Sequence, residues 1–314
     1  MFEHLPIRGQ LVHLDASWRA LTEHRQYPAA LRDTLGEAVA ATLLLAATIK
    51  FDGVLSLQLQ GDGAVPLLLA QCTSGLGVRG LARYREDAAA AGLPGNIGAL
   101  LGAGNLTVTL ESDAGDQRYQ GIVALSGERL AESLQRYFEN SEQLPTRLWL
   151  QADEHGASGL LLQRLPEALR TDASPPAHPA GAPATAAAAL EPPAALDAAA
   201  IDDAWHRVQR LGDTLTREEL GGLADAQILH RLFNEDDVRL YESSPVYFRC
   251  RCSRERVSGM LQGLGEKETR SVLAERGEVQ VQCDFCNRAY VFDAVDVERL
   301  FNPRVAGETG PSLH

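Results

Sequence analysis

Beyond Pro28 the apolar residues Leu31, Leu35, Val39, Leu43 and Ala46 recur at helical spacing, which predicts a helix beginning at that proline. It runs into the longest apolar stretch of the chain, AVAATLLLAATI (38–49). That stretch is short of the ~20 residues that cross a bilayer, so it reads as a helix buried in a protein core. The period then changes to two. VLSLQLQ (54–60) alternates, GDG (61–63) supplies a turn, and VPLLLAQC (65–72) returns, as paired strands do. A second pair is expected from NLTVTLE (105–111) and RYQGIVAL (118–125), joined around DAGD (113–116). The stretch SGERLAESLQRYFENSEQLP predicts a helix with Ser126 as N-cap and Leu130, Leu134, Tyr137 and Phe138 on one face, stopping before Pro145. TRLWLQA (146–152) and GLLLQRL (159–165) predict two further strands. Residues 1–170 are thus expected to form an α+β core domain of mixed helices and strands.

The pattern lapses over 171–200, where 14 Ala and 6 Pro fill the segment without a lysine, arginine or aromatic residue. So little side chain cannot offset its ordering entropy, and the prolines interrupt any alanine helix; a flexible linker is expected. Helical spacing resumes over 201–242, with Ile201, Trp205, Val208, Leu211 and Leu215, then Leu220, Leu223, Leu229, Leu232 and Phe233. Two readings stay open there: an ordinary amphipathic helical pair, or a conditionally stable segment tied to the cysteine-bearing residues C-terminal to it. Over 243–302, SRERVSGMLQGL and KETRSVLAERG read as two short helices. GEVQVQCDFCNRAYVF reads as a hairpin with a cysteine knuckle at its tip, and DAVDVERLF as a helix capped by Asp293. Residues 303–314 are expected to be a disordered tail.

Charge narrows the class. Against 29 basic side chains stand 42 acidic ones, a net charge of -13, and only Lys50 and Lys267 are lysines. This balance argues against a chain held to nucleic acid by phosphate contacts. The opening MFEHLPIRGQ shows no basic region followed by an apolar one, so no secretory signal is read and the expected compartment is the cytoplasm. Thiols stay reduced there.

Four of the five cysteines are nevertheless gathered into two tight pairs, Cys250 with Cys252 in RCRCSRERV and Cys283 with Cys286 in VQCDFCNRAY. Two such clusters about thirty residues apart have the form of a tetrathiolate zinc site, each turn supplying two sulfurs. Arg249, Arg251, Arg254, Arg256 and Arg288 lie beside the ligands in sequence and would favour thiolate, or else form a solvated face. Over 243–302 there are nine Arg and Lys against nine Asp and Glu, so no general basic surface is present. A module of this size with few large apolar side chains is near the lower limit for folding alone, and a structural zinc contributes ~10–16 kcal/mol of apparent binding free energy. Each pair is close enough to form a local disulfide, which no longer binds zinc. The residues therefore describe a zinc-stabilised module that an oxidant melts, without saying what the melting is for.

At CRCSRERV with QCDFCNRAYVF, and at RYQGIVAL and YFENSEQLPTRLWL, the chain resembles the bacterial thirty-three-kilodalton redox-regulated heat-shock chaperones. The resemblance covers all but the Ala/Pro segment and the last dozen residues. It implies an ATP-independent holdase, inactive when reduced with one Zn²⁺ per chain on Cys250, Cys252, Cys283 and Cys286. Oxidation in that family forms the Cys250–Cys252 and Cys283–Cys286 disulfides, releases zinc and unfolds 243–302. The segment 201–242 then loses stability, unfolding client proteins are bound, and the oxidised chain forms a homodimer. No enzymatic activity, specific nucleic acid or membrane is implied. Cys72 matches no motif cysteine and is expected in the core.

Two rival readings carry distinct expectations. A nucleic-acid-binding zinc ribbon needs a basic face with aromatic stacking positions. A thiol oxidoreductase needs its C-x-x-C at the start of a helix, whereas Cys283 follows a strand. His4, His13 and His24 fall into no catalytic spacing.

Overall fold

The computed structural model describes residues 1–23, 25–115, 118–166 and 197–302. They form two compact units, Met1–Ala20 with Tyr27–Phe248, and Leu21–Gln26 with the chain from Arg249 onward.

The first unit is organised around one helix. After β1 (Ile7–Leu14) and the short α1 (Ala16–Thr22), α2 (Ala29–Ala46) starts directly after Pro28, as the sequence predicts. Leu31, Leu35, Val39 and Leu43 are buried along it. One side of α2 meets a six-stranded sheet. Its members are β2 (Gly53–Gly61), β3 (Leu67–Thr73), β4 (Gly77–Arg83), β5 (Gly104–Ser112), β6 (Arg118–Ala124) and β9 (Tyr247–Phe248). They lie in the order β6-β5-β2-β3-β4-β9. The helix sits so close to β4 that a Cβ on Gly80 would lie 3.1 Å from Leu35 Cδ1. On its other side α2 packs on a three-stranded antiparallel sheet, in which β8 (Ala157–Arg164) lies between β1 and β7 (Thr146–Ala152).

The alternating strands appear where the period of two places them. β1 and β4 carry no clean alternation. Residues of β8 are buried on both faces, because helices cover both sides of its sheet, so the polar half of the pattern is missing. Short helices α3 (Glu86–Ala91) and α4 (Ile97–Leu101) fill the β4–β5 connection. The expected N-cap at Ser126 is displaced. Helix α5 (Leu130–Tyr137) starts four residues later, and Ser126 is instead held by the Ser133 hydroxyl, which accepts from its N–H and donates to its carbonyl.

On the outer face of the three-stranded sheet lie α6 (Ala198–Gly212), α7 (Arg217–Gly222) and α8 (Asp225–Phe233). Asp197 caps α6 by accepting from Ala200 N–H, so alanines 198–200 form a helical turn rather than the end of a linker. The remainder of the linker and the tail expected after 302 lie outside the described residues. Thr216 and Glu219 form a reciprocal capping box at α7. Trp205, Val208, Leu220, Ile228, Leu232 and Phe233 close over Phe2, Ile7, Leu160 and Leu162 in a continuous apolar cluster. Ion pairs ring it: Arg147 donates to Asp213 at 3.1 Å, Arg217 to Glu37 at 3.0 Å, and Arg164 to Asp202. The Arg147–Asp213 and Arg164–Asp202 pairs are partly exposed and add up to ~1 kcal/mol each. Glu37 is largely buried, which offsets its pairing, so the apolar contacts hold the helices down.

The second unit contains α9 (Arg254–Leu264), α10 (Glu266–Arg276), the hairpin β10 (Val279–Gln282) and β11 (Ala289–Phe292), and α11 (Ala294–Phe301). Asp293 caps α11. Among the described residues the buried apolar cluster here is Val257, Leu261, Val279, Tyr290, Phe292 and Val297, with Cys252, Cys283 and partly buried residues such as Val272, Leu273 and Phe301 packed against it. No helix among the described residues is long and apolar enough to cross a membrane.

Candidate metal centre

Two chain reversals bring the thiols together. Cys250 and Cys252 sit just before α9, whose N-cap Ser253 accepts from Arg256 N–H and so fixes where the chain leaves the pair. Cys283 and Cys286 lie in the turn between β10 and β11. There Cys283 N–H donates to Arg288 O at 2.9 Å and Asn287 N–H to Cys283 O at 2.9 Å. Asn287 adopts φ 58°, a left-handed conformation that asparagine tolerates better than most residues.

All four Sγ atoms fall within 4.8 Å of one another. Two close contacts run between the pairs, Cys250 to Cys283 at 3.6 Å and Cys252 to Cys286 at 3.4 Å. A tetrahedral ion with metal–sulfur bonds of ~2.3 Å needs sulfurs about 3.8 Å apart, so the cluster fits a metal ion with small adjustments. The set is all sulfur and each thiol is half-buried.

The surroundings are polar on one side and apolar on the other. The Tyr290 hydroxyl donates to Cys252 Sγ at 3.1 Å. The Arg288 guanidinium bears on that hydroxyl and on Cys252 and Cys286 through its charge, as a cation beside thiolate should. Arg254 has another task. It donates to Val291 O at 2.9 Å and Asp296 Oδ2 at 2.6 Å, and stacks 4.3 Å from the Phe292 ring, which ties α9 to β11 and α11. Burial pushes the Cys250 and Cys286 thiols up. Burial raises Cys252 as well, but hydrogen bonds from Tyr290 and the three other thiols outweigh it and bring it down to about 7.

Every cysteine that the spacing singled out is in the cluster. Cys72 is elsewhere, fully buried on β3, its thiol pushed up to about 12 by burial. His4 pairs with Asp237 and His13 with Asp225 and Ser158, all remote from the sulfurs in sequence and in the first unit; His24 lies outside the described residues. Sequence reasoning missed Tyr290. The signal was present in AYVF, whose alternation puts Tyr290 and Phe292 on one buried face of β11. The C-x-x-C lies in a hairpin turn and not at a helix start, so the oxidoreductase geometry is not met.

The family model described as Hsp33 protein matches residues 1–293. A 33 kDa chaperonin of Nitrosococcus oceani is 44% identical over 317 residues, covering 100% of this chain and 96% of the relative. One from Methylobacillus flagellatus is 41% identical over 307 residues, covering 97% and 94%. One from Pseudomonas paraeruginosa is 44% identical over 313 residues, covering 99% and 95%. Among solved structures, the 33 kDa chaperonin (heat shock protein 33 homolog) of Thermotoga maritima matches with a TM-score of 0.75 at 22% identity, covering 98% of this chain and 97% of its own. That last likeness concerns the fold.

Proposed function

The chain belongs to the Hsp33 family, and from that premise we propose that it is a redox-gated, ATP-independent holdase of the cytoplasm. Family membership makes it a chaperone that binds client proteins, and not an enzyme.

The reduced chain holds one Zn²⁺ on Cys250, Cys252, Cys283 and Cys286. A bound dication neutralises part of the thiolate charge and cross-links two chain reversals that otherwise meet only through a small core. Oxidation pairs Cys250 with Cys252 and Cys283 with Cys286. Each pair of thiolates gives up two electrons to a two-electron oxidant of the peroxide class, whose O–O bond breaks and which takes up two protons from solvent to leave as water. Sulfurs tied in disulfides no longer bind the ion, and so small an apolar core does not hold residues 249–302 folded without it.

Residues 201–242 act as the switch. Strand β9 ends at Phe248, and the second unit takes up the chain at the next residue. Loss of order there loosens α6–α8, and the apolar face formed by Ile7, Leu160 and Leu162 becomes available to unfolding clients. The oxidised chain associates as a homodimer. The observation that carries the proposal is the gathering of four half-buried sulfurs within 4.8 Å in so small a module.

Light scattering from a heat-unfolding client tests it, with this protein added either reduced and zinc-loaded or oxidised. Suppression by the oxidised, zinc-free sample alone supports the gate. Equal suppression by both makes the chain an ungated binder whose metal is only structural.

A further inference from the structure

The redox gate uses the four sulfurs and leaves Tyr290 unexplained. Its ring is buried, 8% exposed, on the same face of β11 as Phe292 at 1%. The β10–β11 pairing sets it opposite Val281, two residues before Cys283, so hairpin register fixes its place. A buried phenol needs a partner for its hydroxyl, and here the partner is a sulfur: O–H to Cys252 Sγ, 3.1 Å. The exposed Arg288 guanidinium bears on the same hydroxyl through its charge. The phenol, anchored in the module core, thus reaches one sulfur of the opposite knuckle.

We propose that Tyr290 is a positioning residue of the metal centre, setting metal affinity and the reactivity of Cys252 through its hydrogen bond to that sulfur. This rests on the reading that the four cysteines hold a divalent ion. Four thiolates around a dication retain a double negative charge, and a hydroxyl donor withdraws electron density from the sulfur it touches. Arg288 polarises the hydroxyl and strengthens the effect. The bond also ties Cys252, which precedes α9, to the far strand of the hairpin, so the orientation of one knuckle is read by the core of the other.

The test uses the full chain and two variants, Tyr290→Phe, which keeps the ring, and Arg288→Met at an exposed site. Zinc affinity is measured by competition with a chelating dye, Co²⁺ spectra are recorded, and each cysteine's alkylation rate is followed by mass spectrometry in metal-loaded protein. Tyr290→Phe is expected to weaken zinc binding by about ten-fold or more, the usual range for such outer partners. It should move the thiolate-to-cobalt charge-transfer band to lower energy and raise alkylation most at Cys252. Arg288→Met should do the same to a smaller degree. Far-UV circular dichroism of the loaded variants should match the parent, which separates positioning from folding. Parent-like affinity, cobalt spectrum and alkylation pattern in Tyr290→Phe would overturn the proposal. A parent chain that binds neither metal would overturn the metal reading, and this one with it.

Discussion

At the scale of single residues, the thiols pose a choice of pairing. Two close sulfur contacts cross between the knuckles, at 3.4 and 3.6 Å, yet the proposal pairs Cys250 with Cys252 and Cys283 with Cys286. Crossed disulfides would staple the module together; local ones close loops of one and two intervening residues and survive its melting. Peptide mapping of peroxide-treated protein should find the two local bridges, with Cys72 still a thiol because burial keeps it protonated and out of reach. Crossed bridges as the main product would contradict the gate. Glu37 supplies a second residue-level expectation. Burial raises its carboxyl above the ordinary value, with Arg217 pulling the other way. The resulting stability is complete below the unfolded-state pKa, ~4.3, and is lost as pH rises through the folded one. Glu37→Gln, which mimics the protonated acid and still accepts from Arg217, should therefore melt higher than the parent at neutral pH. The gap should close as pH falls toward 4.3; a gap that widens on acidification would refute the assignment. The cysteine set was legible in the sequence because spacing alone defines a tetrathiolate. Tyr290 was not, because its meaning depends on which sulfur a hairpin register brings it to.

At the scale of elements, α6 is the piece whose contacts decide the gate. Trp205 is 5% exposed in the apolar cluster, and truncating such a side chain costs ~3–5 kcal/mol. A Cβ on Gly212 would come within 2.5 Å of the Trp149 ring, so a larger residue there must displace either that ring or α6 from β7. Trp205→Ala and Gly212→Val should both suppress client aggregation while reduced and metal-loaded, read by light scattering beside a metal assay. Variants that lose amide protection in α6 yet stay inactive until oxidised would show that this face is not where clients bind. Elements with one covered face were readable: 54–60 and 105–111 alternate because solvent or a polar layer takes every second position. β1 and β4 escaped because packing on both sides, or glycines at close approaches such as Gly80, removes the alternation. The helices over 201–242 were readable from their spacing, but their docking surface was not. It is assembled from Phe2, Ile7, Leu160 and Leu162, far away in sequence.

At the scale of the whole molecule, the two units differ in what holds them. The first has a helix between two sheets and a further helical layer; the second has, among the described residues, a small apolar cluster and a group of four sulfurs. A chelator should accordingly melt residues 249–302 and leave the β2–β5 core folded, seen as loss of one calorimetric transition and retention of the other. The central claim is that oxidation at four sulfurs releases a helical layer from the first unit. Hydrogen exchange, resolved by peptide, on reduced metal-loaded and on oxidised protein tests it most directly. The account predicts that protection disappears over 249–302 and over α6–α8 together, while α2 and β2–β5 keep theirs. If α6–α8 stayed protected in oxidised protein that was already capturing clients, the account would be contradicted.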